Sequence, residues 1–123
     1  MISNGAYLMS RRGNIELLCD IQEAIKNIFC YTEEMSRDRF QKDLKTRDAV
    51  IRNFEIIGEA TKQMPKDFKD KYENIPWRDM ARFRDKLIHH YSGIDIDNVW
   101  DIIEESLPAL APHIDQLIRQ LSK

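Results

Sequence analysis

The sequence predicts an all-α fold, an antiparallel up-and-down bundle of four to five helices. Three observations predict it. Apolar residues recur at spacings of three and four along most of the chain, as an amphipathic helix requires. No stretch alternates apolar and polar residues for long enough to make a strand. Capping residues, prolines and glycines divide the chain at helix-sized intervals. The length of 123 residues is that of one domain, able to bury roughly two-thirds of its unfolded surface in one core. A content of 42% hydrophobic and 33% charged residues excludes disorder. Four Gly and four Pro exclude collagen-like or low-complexity chains.

Residues 1–13 read as a loose lead-in and 14–121 as the helical domain. From Asn14 to about Tyr31, the residues Leu18, Ile21, Ile25, Ile28 and Phe29 share one stripe. Ser36 is a cap for a short helix containing Phe40 and Leu44. Thr46 then opens a longer helix to about Met64. Its apolar set (Ala49, Val50, Ile51, Phe54, Ile56, Ile57, Ala60, Met64) covers more than half the wheel. Such a helix is central in a bundle or faces a second subunit. Gly58 within it costs about 1 kcal/mol against alanine, and close approach of a neighbouring helix is the usual reason. Pro65 ends that helix. DFKDKYEN is a polar connector with room for one helical turn. Pro76 suits a first helical turn, and the next helix runs to Tyr91, where Ser92-Gly93 stops it. Asp95 caps the last helix, with Ile96, Val99, Trp100, Ile103 and Leu107. Pro108 and Pro112 are expected to kink or split it before Ile114, Leu117, Ile118 and Leu121.

No apolar run approaches the ~20 residues of a membrane span. The first residues have no leader-like order of charge followed by an apolar run, so a cytoplasmic location is expected. Cys19 and Cys30 fall in one helix, off its apolar stripe. Eleven positions place their Cα atoms about 16 Å apart, so they cannot bridge within one chain. Neither they nor the histidines have the spacing of a metal site, and no metal or cofactor is expected.

Nineteen Lys and Arg against 21 Asp and Glu give a net charge of −2, so no global charge announces nucleic acid. The distribution is uneven. Residues 36–53 and 62–91 each carry +3, and residues 92–123 carry −4. The bundle thus has a basic middle and an acidic end.

The segment 76–91, PWRDMARFRDKLIHHY, carries the chemistry. Trp77, Met80, Ala81, Leu87, Ile88 and Tyr91 gather on one side of the wheel. Arg78, Asp79, Arg82, Asp85, Lys86, His89 and His90 lie on or near the other. Arg84 breaks the pattern by falling among the apolar residues. A buried guanidinium without a partner is very costly. Arg84 therefore meets a carboxylate, a carbonyl, a subunit boundary or an anionic ligand. Stacking on Trp77 or Tyr91 is a further option. Two of the three histidines, His89 and His90, end this helix. Imidazoles there serve either as proton carriers or as partners of the helix dipole.

Arg84-Asp85-Lys86-Leu87-Ile88-His89-His90-Tyr91 fits an R-x4-H-x-Y motif. The motif, DAVIRNFEIIGEATK (48–62), and GIDIDNVWDIIEESLPAL (93–110) together resemble the HepT-like branch of the HEPN superfamily. The resemblance covers residues 14–121. It implies a homodimeric ribonuclease, the toxin of a toxin–antitoxin pair. Its antitoxin would be a minimal nucleotidyltransferase of the MntA type, which silences the toxin by transferring AMP to the motif tyrosine, here Tyr91. The implied catalytic pair is Arg84 and His89. Asp85 takes the polar position after the arginine. His90 stands where such sequences commonly have glycine, which leaves open whether His89 or His90 is the base.

RNA supplies its own nucleophile, the 2′-hydroxyl. One general base can start attack on the adjacent phosphate without metal, while a guanidinium fork stabilises the phosphorane. Arg84 and His89 are five positions apart, about 140° on an ideal helix. They converge if the helix unwinds near His89 or if two subunits share a cleft. The alternative function is a non-catalytic dimeric module that binds nucleotide or the transferase, with Arg84 as anion anchor.

Overall fold

A computed structural model of the chain describes residues 13–89 and 95–123. All regular structure among them is helical, as expected. Helix α1 spans Asn14–Thr32, α2 Arg37–Lys42, α3 Leu44–Gln63, α4 Lys66–Lys71, α5 Trp77–His89, α6 Ile96–Asp101 and α7 Leu107–Leu121. A π-helical turn, Ile102–Ser106, joins α6 to α7 without a break. Four long rods result, with α2 and α4 as short connecting helices.

The apolar stripe of α1 buries Leu17, Leu18, Ile21, Ala24, Ile25 and Ile28. It packs along α3, which places Val50, Phe54, Ile57 and Ala60 in the same core. The two helices run antiparallel. Asn27 meets Asn53, and Ala24, one turn earlier on α1, shares a small cavity with Ile56, one turn later on α3. Helix α3 packs against α5 with its other side, so its wide apolar surface serves two neighbours, as a central helix requires. Helix α7 closes the bundle against α1 with Leu107, Leu110, Ile114 and Leu117.

Buried polar groups are satisfied locally. The Thr61 hydroxyl donates to the Ile57 carbonyl at 2.7 Å, and the Asn53 amide donates to the Ala49 carbonyl at 2.8 Å while accepting from Asn27. Each bond avoids the cost of an orphaned buried dipole.

Caps set several boundaries. Ser36 accepts from the Arg39 N–H to open α2, and Asp95 accepts from the Asn98 N–H to open α6. The expectation of Leu44 inside the short helix is corrected. Helix α2 ends at Lys42, and Leu44 opens α3 with 64% of its surface exposed. Asp43 is the reason. Its N–H closes α2 on the Arg39 and Phe40 carbonyls, and its carboxylate accepts from the Thr46 N–H at 3.1 Å to open α3. One extended residue thus terminates one helix and starts the next, two positions before Thr46. The bond from Thr46 holds the Asp43 carboxyl below the usual carboxylate range.

The prolines of the last rod do not split it. The Leu107 N–H donates to the Ile102 carbonyl, five residues back. That widened turn directly precedes Pro108, whose ring would clash with the carbonyl four residues earlier in a regular helix. Pro112 sits inside α7.

The charge asymmetry is partly neutralised within the fold. Arg37 of α2 donates to Asp101 at 2.5 Å and to Asp97 at 3.2 Å, and Gln41 adds a bond to Asp97. These bonds, with Asp101 leading, raise the affinity of Arg37 for its proton. Part of the basic middle is therefore docked on the acidic end.

Candidate functional site

Helix α5 is built for a close crossing. Trp77 and Met80 are buried, and Phe83 packs on Phe54 of α3 with ring centroids 5.1 Å apart. The Trp77 indole N–H donates to the Tyr72 carbonyl at 3.0 Å, and the ring packs near Phe68. The indole anchors the start of α5 and does not stack under Arg84.

Arg84 lies where α5 crosses α3, half-buried. Its backbone presses on Gly58. A β-carbon at position 58 would stand 2.9 Å from the Arg84 nitrogen and 3.1 Å from its Cα, and would collide with its Cβ. Gly58 is there to admit α5. The absent side chain lets the arginine's backbone rest on α3.

Among the described residues, no carboxylate forms an ion pair with Arg84. The structural ion pair that could have explained an arginine on an apolar face is therefore not seen there. The next residue is paired. Asp85 forms an ion pair with Lys62, one turn beyond Gly58 on α3. Lys62 thus belongs to the site's surroundings. Arg78 and Arg82 stand exposed on α5, also without ion pairs among the described residues.

Position 89 is the last of α5, and the helix reaches it unbroken. Unwinding before His89 is thus not seen, and positions 84 and 89 stay about 140° apart around the axis. Within one chain they diverge. His90, Tyr91 and the stop at Ser92-Gly93 lie outside the described residues. Among the described residues, no group of three His, Cys, Asp or Glu could hold a metal ion, and no helix is long and apolar enough to cross a membrane.

Comparison with known proteins decides the family. The family model described as ribonuclease HepT-like matches residues 21–117. The chain belongs to the HepT-like ribonuclease family. A protein of Methanocaldococcus jannaschii that carries the name "Putative RNase" is 48% identical over 104 residues, covering 85% of this chain and 86% of that protein. A "Probable ribonuclease HepT" of Thermococcus cleftensis is 47% identical over 107 residues, covering 87% and 97%. A third relative, from Caldanaerobacter subterraneus and also named for ribonuclease activity, is 37% identical over 86 residues. No solved structure gives a significant match. The family expected from the R-x4-H-x-Y segment and its flanking stretches is thus the one found.

Proposed function

We propose that this chain is a metal-independent endoribonuclease toxin whose active site is shared between two protomers. One observation carries the reading. Arg84 has its backbone seated on Gly58 at a helix crossing and is half-buried, with no ion pair among the described residues. An arginine so placed is a preformed anion receptor. At 4 Å and an effective dielectric of about 20, one phosphate charge would gain roughly 4 kcal/mol beside it.

In this mechanism His89 takes the proton from the RNA 2′-hydroxyl. The freed oxygen attacks the adjacent phosphorus, and the 5′-oxygen of the next nucleotide leaves, taking a proton from solvent while His89 later returns its own to solvent. The products are a 2′,3′-cyclic phosphate and a 5′-hydroxyl. Arg84 binds the phosphorane oxygens through its planar donor fork. Asp85, tied to Lys62, fixes the rotation of α5 against α3. His90, beside His89, is the alternative base. Because α5 is unbroken between positions 84 and 89, the reading assigns Arg84 of one protomer to act with His89 of its two-fold mate.

Regulation follows from the motif tyrosine. A minimal nucleotidyltransferase of the MntA type would transfer AMP from ATP to the Tyr91 hydroxyl, which loses its proton as pyrophosphate leaves. The adduct adds negative charge and bulk to the motif and disfavours RNA binding.

The test is cleavage of a defined RNA by the purified chain in chelator, with the ends mapped. The expected result is 2′,3′-cyclic phosphate termini, lost in Arg84→Ala and in His89→Ala while both remain folded. Equal cleavage by all three would refute the mechanism. Nucleotide binding without any cleavage, lost only in Arg84→Ala, would support the anion-anchor module instead.

A further inference from the structure

Helix α1 carries a stripe with a chemical symmetry of its own. Cys19, Glu23, Lys26 and Cys30 are all exposed. At about 100° per residue they fall within roughly 60° of arc, on the side away from the buried stripe. The order is thiol, acid, base, thiol. Reversed end to end, the sequence places Cys19 opposite Cys30 and Glu23 opposite Lys26, at one register. Neither Glu23 nor Lys26 forms an ion pair among the described residues. The stripe is also a ridge between two grooves. One, of about 780 Å³, is lined by Gln22, Lys26, Phe29, Ala111 and Asp115. The other, of about 230 Å³, is lined by Asp20, Asn53 and Ile56. Glu23 and Asn27 border both.

We infer that this face of α1 pairs with the same face of a second copy of this chain, antiparallel about a two-fold axis between Glu23 and Lys26. Charge complementarity commits the face to a copy of itself. Each Glu23 meets the other copy's Lys26, twice per pair, as an isologous contact requires. The small thiols flank this centre and let the helices approach. The ridges enter the grooves beside them. With axes about 8–10 Å apart and Cα atoms about 2.3 Å from each axis, facing Cα atoms stand about 3.5–5.5 Å apart. That is within reach of a disulfide. Each cysteine lies about 8 Å along the axis from the two-fold. At a crossing near 20° the facing thiols slip sideways by about 3 Å, and near 50° by about 7 Å. The shallow crossing is therefore the one that aligns them. The stripe lies on a different helix from Arg84, so this pairing is independent of the shared cleft proposed above.

The experiment is oxidative cross-linking of the full chain with diamide, which accepts the two electrons and two protons released by two thiols. Products are separated without reductant and the joined peptides identified by mass. The expected product is a covalent dimer joined between Cys19 and Cys30. Cys19→Ser alone and Cys30→Ser alone should each form no covalent dimer, and their equimolar mixture should cross-link. Glu23→Lys and Lys26→Glu should each lower the yield roughly tenfold by setting like charges opposite one another. The double reversal should restore it to within about twofold. All three charge variants should cleave RNA as the wild type does, which separates this pairing from the ribonuclease reading. Cross-linking of Cys30→Ser alone, no covalent dimer from any sample, or a yield indifferent to charge reversal would each overturn the inference.

Discussion

Replacing Gly58 with alanine tests how the bundle presents its arginine. The added methyl would lie 2.9 Å from the Arg84 nitrogen and 3.1 Å from its Cα. Both are backbone atoms, so no side-chain rotation relieves the clash, and ordinary contact begins near 3.4 Å. The Arg84 Cβ is closer still and moves only with the backbone, so helix α5 must retreat by about 1 Å or tilt. Overpacking of this kind costs about 1–3 kcal/mol, while alanine regains about 1 kcal/mol of helix propensity. The net expectation is a loss of up to about 2 kcal/mol, a fall of up to roughly 8 °C in Tm for a domain this size. Glu59→Ala, on an exposed position of the same helix, is the control and should change stability by under about 0.5 kcal/mol. Denaturant titration gives the stability, and RNA cleavage gives the displacement of Arg84. A Gly58→Ala protein stabilised by about 1 kcal/mol with unchanged cleavage would refute the close-approach argument.

Arg84→Met should leave stability unchanged or raise it, since a half-buried charge without an ion pair gives way to an apolar side chain, while cleavage falls at least about a hundredfold; thermal melts and initial rates decide it. Asp85→Asn breaks an exposed ion pair with Lys62 and should cost less than about 1 kcal/mol, with the loss fading in high salt. Asp95→Ala removes the cap of α6 and should cost about 1 kcal/mol, read by denaturant midpoint. Asp43 binds its proton more weakly folded than unfolded. Its contribution is therefore present above the ordinary carboxylate range and lost as pH falls through its lowered folded value. Asp43→Asn should lose less stability than the wild type between pH 5 and about pH 2, measured by melts along that series.

Local signals in the sequence read well because they depend on neighbours along the chain. The stripe of α1, the caps at Ser36 and Asp95 and the stop at Pro65 are all of this kind. Gly58 carried a correct hint of close approach, but not the name of the residue that approaches. Asp43 was overlooked because one aspartate serving two helices looks like any polar residue between Phe40 and Thr46. The last rod was expected to kink or split because the π turn that accommodates Pro108 depends on a hydrogen-bond shift without a sequence signature. The pairing of Lys62 with Asp85 joins residues 23 positions apart, and no local pattern announces it. In the site, Arg84 was found as a violation of the wheel. The helix geometry that separates it from position 89 is the reason the proposed site draws on a second protomer.

The most direct test of that central claim is complementation between inactive variants. Arg84→Ala and His89→Ala are purified separately, mixed in equal amounts under conditions that exchange subunits, and assayed for RNA cleavage. If each site takes Arg84 from one protomer and His89 from the other, half the dimers are mixed and each holds one intact site. Activity should then return to about a quarter of the wild type from two inactive stocks. A mixture that exchanges subunits yet stays as inactive as its components would contradict the account.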